Sequence, residues 1–410
     1  MSWIDTTVGE FCPFIYGKGL PKTKRQAGEY PVYGSNGCVD FHNDFYIDGP
    51  GIIIGRKGSV GAAHLSTQPF WPIDTAFYVT KGTLGELRFT YYLLKSLGLE
   101  KMNSDSAVPG LNRDNAHALS IRIPESPESR ESLGNQMALL DEKIAANSGI
   151  NQTLEEMAQA IFKSWFVDFD PVKAKMNGEQ PEGMNAATAS LFPEKLVESE
   201  LGLIPEGWEI HKTQDLFDVK DGTHDSPKKA EEGHYLVTSK HITKGKIDTS
   251  SAYLISDADF EKVNQRSKVD TFDILLTMIG TVGEVVVVYD NPVEFAIKNV
   301  GLFKTSQRPE LVWLFYWHLQ SFKMKHYLEV RMAGTTQQYL TLKTLRTIPV
   351  VLPSEELLAK FNEVMSPLME KISDNHKQNQ TLSNLRDTLL PKLLSGEIEL
   401  GSSEELVEAI

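Results

Sequence analysis

Residues 150–166 read INQTLEEMAQAIFKSWF, and residues 379–394 read NQTLSNLRDTLLPKLL. The word Asn-Gln-Thr-Leu stands at 151–154 and again at 379–382. Working outward, the echo is one of several. Leu111, Leu119 and Pro124 match Leu340, Ile348 and Pro353 at an offset of 229. Gly58-Ser59-Val60-Gly61 matches Gly280-Thr281-Val282-Gly283 at an offset of 222, and Trp3 matches Trp208 at 205. An ordered series with a slowly growing offset identifies a duplication whose second copy carries insertions.

Each copy reads in the same order. Short β-rich runs come first: GIIIGRKGSVGAAHL and FYVT in copy one, then DILLTMIG, EVVVVYD and VGLFKT in copy two. Gly, Asn and Asp punctuate them, which is the signature of strands and turns. A short aromatic helix follows in each, LRFTYYLLKSLGL and ELVWLFYWHLQSFKMKHYL. Next come the apolar runs LSIRIP and IPVVLP, each ending in proline.

A long helical pattern closes each copy. Leu133, Met137, Leu140 and Ile144 step by 4, 3 and 4; after Gly149 the phase shifts, and Ile150, Leu154, Met157 and Ile161 repeat the step. Leu357, Phe361, Val364 and Leu368 do the same in copy two, continued by Leu382, Leu385 and Leu389. This spacing predicts a coiled-coil seam. Pro127 and Pro353 stand where a helix start tolerates proline. Pro367 lies inside the second pattern and is expected to kink it. Each helix should run roughly 35–40 residues, about 55 Å at 1.5 Å per residue. Neither is apolar enough to stand alone, so the two are expected to pair antiparallel. Asn147, Asn151, Asn375 and Asn379 at the seam would fix register at some cost in stability.

The fold expected is therefore α+β: two related α/β globules separated by an antiparallel two-helix coiled-coil rod, with a pseudo-two-fold between the repeats. The segments are 1–125 for the first globule and 126–167 for its spacer helix. A linker follows at 168–204, then the second globule at 205–353, its helix at 354–396 and a tail at 397–410. A chain of 410 residues suits two or three domains.

The net charge is -14, which taken whole argues against nucleic acid. The excess of acid lies in 126–204 and 354–410, whereas 1–125 is balanced and 205–353 nearly so. A duplex would be repelled by the acidic segments and tolerated by the neutral ones. No basic-plus-apolar leader and no run of 18 apolar residues is visible, so a cytoplasmic protein without membrane segments is expected. Cys12 and Cys38 have no metal-like spacing and are expected to be buried free thiols.

Catalytic chemistry finds little support. An adenine methyltransferase needs an aromatic-backed Asn/Asp-Pro-Pro loop, and Asp170-Pro171-Val172 and Asn291-Pro292-Val293 lack the second proline and the aromatic. No Asp…Glu-x-Lys nuclease arrangement is present, and the ten histidines form no His-x-x-His pair. Gly55-Arg56-Lys57-Gly58-Ser59-Val60-Gly61 resembles a phosphate-cradling loop but lacks the Gly-Lys-Ser/Thr ending, so it reads first as a tight turn between strands.

What remains are polar loop tips that recur at equivalent places in both copies. In copy one these are Ser35 and Asn36 in Tyr33-Gly34-Ser35-Asn36-Gly37, then Arg56, Lys57 and Ser59, with Lys18 and Arg25 as further cations. In copy two they are Thr223 and His224, Lys240 and His241, Thr281, and Thr335, Thr336 and Gln337. Asn, Gln, Arg and His read base edges, while Lys, Ser and Thr more often hold phosphate. Each loop alone is more often only a loop; the recurrence is what points to DNA.

In this pattern the chain resembles the DNA-specificity subunit of type I restriction-modification systems, over nearly its whole length. The resemblance rests on Tyr30-Pro31-Val32-Tyr33-Gly34-Ser35-Asn36-Gly37 and Ile54-Gly55-Arg56-Lys57-Gly58-Ser59 in copy one. In copy two it rests on Leu201-Gly202-Leu203-Ile204-Pro205-Glu206-Gly207-Trp208, Asp221-Gly222-Thr223-His224 and Gly280-Thr281-Val282-Gly283. The helix words NQTLEEMAQAIFKSWFVDFDPV and LRDTLLPKLLSGEI look like the family's spacer regions.

The resemblance implies that each globule is a target-recognition domain for one half of a split, asymmetric site, and that the rod sets the gap. It implies two modification subunits docked on the rod, bringing S-adenosylmethionine, and restriction subunits bringing ATP and magnesium. This chain would hold no cofactor and catalyse nothing. The competing expectation is a two-globule adaptor that binds proteins and has no DNA specificity.

Overall fold

The computed structural model describes residues 2–102, 110–334 and 338–395. The chain divides at 149/150 and at 374/375 into two compact units. Unit 1 holds the first globule with residues up to 149 and from 375 onward; unit 2 holds residues 150–374.

The strands of unit 1 that enter the repeat are β1 (Trp3–Thr7), β2 (Ile15–Tyr16), β3 (Tyr30–Gly34), β4 (Gly37–His42), β5 (Gly51–Gly55), β6 (Ala63–Ser66), β7 (Trp71–Pro72), β8 (Ala76–Val79) and β9 (Ser120–Pro124). They form a four-stranded sheet in the order β2-β8-β5-β6, a three-stranded sheet β4-β3-β7, and a pair β1-β9. Ile52, Ile53 and Ile54 are sealed from solvent on both faces, which is why β5 reads as an unbroken apolar run and not as an alternation. Its Ile52 and Ile54, with Phe77 and Val79 of β8, share a core with Leu87, Phe89 and Leu93 of the helix Leu84–Ser96. Thr83 caps that helix, its hydroxyl accepting from the Glu86 amide at 3.2 Å.

Unit 2 repeats the plan with β10 (Glu209–Lys212), β11 (Val219–Asp221), β12 (His234–Thr238), β13 (Leu254–Ile255), β14 (Ile274–Thr277), β15 (Val285–Val287), β16 (Phe295–Lys298), β17 (Val300–Phe303) and β18 (Pro349–Leu352). The sheets run β11-β17-β14-β15, β13-β12-β16 and β10-β18, so each strand has its counterpart nine numbers earlier. Even the parallel strand pairing recurs, β3 with β7 and β12 with β16.

The repeat extends to individual hydrogen bonds. Val8 N–H donates to Leu119 O at 3.0 Å, and Thr213 N–H to Ile348 O at 3.0 Å. Leu111 N–H donates to Arg56 O at 2.9 Å, and Leu340 N–H to Met278 O at 2.9 Å. The turns match too, Val60 N–H to Gly58 O and Val282 N–H to Gly280 O, both 2.9 Å. Gly58 and Gly280 have φ of 83° and 81°, which is why glycine stands at both places.

The long helices are Pro127–Phe166, 40 residues, and Glu355–Ser395, 41 residues. Inside unit 1, Asp141 pairs with Arg386 and Asn147 bonds Asn379; inside unit 2, Asn151 donates to the Ile372 carbonyl at 3.1 Å. The partner number falls as the first rises, so the helices run antiparallel in both units. Pro127 begins its helix as expected, and Pro367 is absorbed within one continuous helix.

The seam expected between 150 and 166 is corrected in part. Ile150 and Met157 are 45% and 48% exposed, and Val364 is also exposed. Leu154, Ala158, Phe162 and Trp165 face the core, with Leu357, Phe361, Met365 and Met369 opposite. The error has a physical origin: a 4-3-4 count cannot tell which of two adjacent apolar stripes is covered.

Two other expectations change. Residues 168–204 are no free linker. They form helices Asp170–Met176 and Ala186–Ser190 and a hairpin of Leu196–Ser199 with Gly202–Pro205. Val172 and Phe192 are buried in unit 2, Phe192 edge-on to Trp165 at 5.3 Å. Of the two cysteines, Cys12 is buried but Cys38 is exposed on the edge strand β4.

Candidate nucleic-acid interface

In unit 1 the β3–β4 hairpin turns at Ser35-Asn36, with Gly34 and Gly37 paired across it. The β5–β6 turn packs against that tip. Ser59 donates its hydroxyl to Asn36 Oδ1 at 3.2 Å. A Cβ on Gly55 would fall 2.9 Å from the Ser35 carbonyl oxygen and 1.9 Å from that of Ser59, so the close approach requires glycine. Ser35, Asn36, Arg56, Lys57 and Ser59 thus form one surface patch, with Asn36 and Lys57 exposed.

Arg56 donates one N–H to the Asp74 carbonyl oxygen at 2.9 Å, and its guanidinium lies 5.0 Å from the Tyr16 ring centroid. Arg113 lies 5.0 Å from the same ring. Tyr16 is held in turn by Phe77, 5.0 Å away, and is 47% exposed. Lys18 stands two residues along, its Nζ 5.0 Å from the Tyr46 ring and 5.7 Å from Trp71. Cations over aromatic faces gain about 0.5–1 kcal/mol each at exposed sites and lose side-chain freedom, so they are pre-positioned.

Arg25 is engaged elsewhere. Two of its nitrogens donate to the Leu20 carbonyl at 3.2 Å and a third meets Asp40 at 3.1 Å. The side chain is 8% exposed, so its fork braces the 20–40 segment and is not presented to a ligand. Arg25 also holds the Asp40 carboxyl below its ordinary range.

Unit 2 builds a different patch on the same frame. Asp221, nearly enclosed at the end of β11, meets His224 Nε2 at 3.0 Å and also pairs with Arg266. His224 Nδ1 lies 2.8 Å from Asn299 Oδ1. Ser239 donates to the Asn299 carbonyl at 3.4 Å, which brings the turn carrying exposed Lys240 to the same cluster. His224 and Arg266 keep more than half of their side-chain surface open while Asp221 anchors both.

Two expected contacts fold inward here. Thr223 is 9% exposed, and its hydroxyl accepts from the Asp225 amide at 3.1 Å, shaping the loop. His241 is 2% exposed, its Nδ1 accepting from the Thr238 amide at 2.9 Å, and burial pushes its pKa down. It is a buried cap and has no open edge. Thr281 sits exposed on its turn, with its carbonyl oxygen taken by the Thr277 hydroxyl, and no hydrogen bond links it to the His224 cluster. Thr335, Thr336 and Gln337 lie outside the described residues.

Sequence reading missed Tyr16, Arg113, Arg266 and Asn299. None belongs to a motif. Only the fold carries Arg113 to Tyr16, or Asn299, with φ of 54°, to His224. Among the described residues no group of three or more His, Cys, Asp or Glu could hold a metal ion, and no helix is long and apolar enough to cross a membrane.

A family model described as the type I restriction modification DNA specificity domain matches residues 2–156 and 205–384. The type I restriction enzyme HindI specificity subunit of Haemophilus influenzae is 27% identical over 335 residues, with 71% of each chain covered. The MjaIX specificity subunit of Methanocaldococcus jannaschii is 27% identical over 328 residues, covering 76% of this chain and 69% of that one. Among solved structures, a type I restriction-modification S subunit from M. genitalium matches with a TM-score of 0.62 over 98% of this chain and 97% of the other. At 16% identity that last likeness is one of fold.

Proposed function

We propose a division of labour for a chain that belongs to the type I restriction modification DNA specificity family. Its contribution is DNA sequence recognition, and it is not itself the catalyst. In our reading, each globule reads one half of a bipartite, asymmetric site, and the paired long helices set the interval between the halves.

The observation that carries this reading is a shared frame with unlike surfaces. Leu111–Arg56 and Leu340–Met278 make the same backbone bond, yet one position bears a cation and the other a thioether. Two globules with one backbone register and different exposed side chains suit two half-sequences that differ. Helices of 40 and 41 residues are about 60 Å long at 1.5 Å per residue, enough to bridge more than one ~34 Å duplex turn.

The same helices offer docking surface. Ile150 and Met157, seven residues apart and both about half exposed, lie along one outward face of unit 2. Leu139 is a comparable exposed apolar residue on the unit 1 part of the same helix. Modification subunits, one for each repeat, would cover such residues and bring S-adenosylmethionine. Restriction subunits would bring ATP and magnesium. The acid excess of the helical segments favours this protein-docking role over contact with a phosphate backbone.

Co-expression with the modification partner, followed by single-molecule methylation mapping, tests the reading. A two-part motif with unlike halves and a fixed gap is expected. A continuous or palindromic motif would overturn it.

A further inference from the structure

Arg56 and Arg113 come from distant parts of unit 1, yet both settle 5.0 Å from the Tyr16 ring. Two like charges brought to one exposed ring repel unless something of opposite sign meets them. Among the described residues, neither has a close, enclosed carboxylate. Arg56 spends one of its five N–H donors on the Asp74 carbonyl. Arg113 leans on its neighbour Asp114 at 3.6 Å, and that carboxylate is 86% exposed. Lys57 adds a third cation on the rim, exposed on the turn fixed by Gly58.

We propose that Arg56 and Arg113, gathered on Tyr16, form one anion site that grips a phosphodiester of duplex DNA, and that unit 2 has no counterpart at that place. The proposal rests on the reading that unit 1 engages DNA, and it adds where and how unevenly the backbone is held. Two guanidinium groups held 5.0 Å from one ring suit a full negative charge, whereas a base edge offers partial charges and is read by one bidentate fork. Ring stacking fixes each guanidinium before the ligand arrives, so little ordering entropy is lost on binding. In unit 2 the equivalent turn, Ile279–Gly283, carries no cation, and Met278 occupies the backbone position of Arg56. At this turn the electrostatic hold on DNA is therefore borne by unit 1.

The test uses the full chain co-purified with its modification partner and a mixed-sequence duplex of about 30 base pairs, titrated across a salt series. Arg56→Gln and Arg113→Gln are each expected to weaken binding about 3–10-fold and to lower the slope of log K against log salt by about 0.9, the loss of one phosphate contact. Tyr16→Leu, which removes the seat but keeps both charges, should weaken binding in the same direction. Phe322→Ala, at an exposed position of unit 2 outside the candidate patches, should leave the slope as it is. The methylated sequence should be the same in all four. An unaltered slope in both arginine variants, with parental binding intact, overturns the proposal while half-site reading stands. A changed half-sequence would reassign the arginines to base edges, which also overturns it. Displacement of the duplex by millimolar inorganic phosphate, matched for ionic strength, would make this a free-anion site and overturn it too. A parent complex with no duplex affinity at any salt would sink the reading of unit 1 as a DNA binder, and this proposal with it.

Discussion

The Asn147 side-chain amide donates to Asn379 Oδ1, 2.9 Å away on the other long helix, and to Gln378 Oε1 at 2.6 Å. Asn379 returns a bond to the Ile144 carbonyl at 3.4 Å. Asn147 is 3% exposed, so this is a polar knot inside an apolar seam. Replacing it by alanine takes this donor from the half-buried Asn379 and Gln378 amide oxygens, which costs about 1–3 kcal/mol. Replacing Asn147 and Asn379 together by leucine should recover that loss and loosen the choice of register. Urea unfolding should show the single variant weaker and the double one not. Methylation mapping of the double variant should then show more than one accepted gap.

Two helical glycines should respond in opposite ways to alanine. At Gly134 a Cβ would sit 2.3 Å from the Gly85 carbonyl oxygen and 2.5 Å from the Phe89 amide nitrogen, so the helices Leu84–Ser96 and Pro127–Phe166 cross backbone to backbone. Gly134→Ala should cost about 1–3 kcal/mol through overpacking. At Gly149 a Cβ meets open space, and Gly149→Ala should gain about 0.5–1 kcal/mol from helix propensity. Calorimetry of the pair reads both signs; equal shifts would defeat the account.

His318 gives unit 2 an acid-sensitive point. Burial is the main reason its pKa is pushed down to about 4, while a hydrogen bond to the Pro349 carbonyl at 2.8 Å works in the other direction. Below its ordinary value of 6.5 the unfolded chain takes up a proton that the folded chain refuses. This residue's share of stability is therefore whole above about pH 6.5 and falls as pH drops toward about 4. The loss reaches at most about 3 kcal/mol. His318→Gln should flatten that part of the difference curve measured by denaturant midpoints between pH 7 and pH 4. Parallel curves for parent and variant would argue against it.

Ile150 and Met157 supply a docking test. Met157→Glu places a charge on a residue already half in solvent, so the chain's own melting temperature should move by under about 2 °C. Co-purification of the modification partner should drop at least several-fold. Unreduced recovery of the partner would place the docking face elsewhere.

Much of this architecture was legible because duplication writes the same physics twice. Gly58 and Gly280 mark places where a positive φ demands glycine, and Leu111 and Leu340 places where the core is filled in the same way, so both pairs stand in both copies. The seam was only half legible. Leu133, Met137 and Leu140 are buried as read, while Met157 and Val364 obey the same periodicity and face outward. Periodicity finds stripes, and packing selects among them. The candidate interface was less legible still. Local strings singled out Asn36, Arg56 and Ser59, which the fold brings together across short turns. Arg113 and Arg266 belong to no motif, and His241 looked available only because burial leaves no mark on a three-letter word.

The β1–β9 pair sets Trp3 opposite Pro124, and β10–β18 sets Glu209 opposite Leu352. Each globule is thus closed at a neck where its entering and leaving chains lie side by side. A foreign globule could be spliced in through two joints at one spot, with the ladder re-formed across the cut. Inheritance can then shuffle halves between relatives as whole cassettes, and a new address need not await one point change after another.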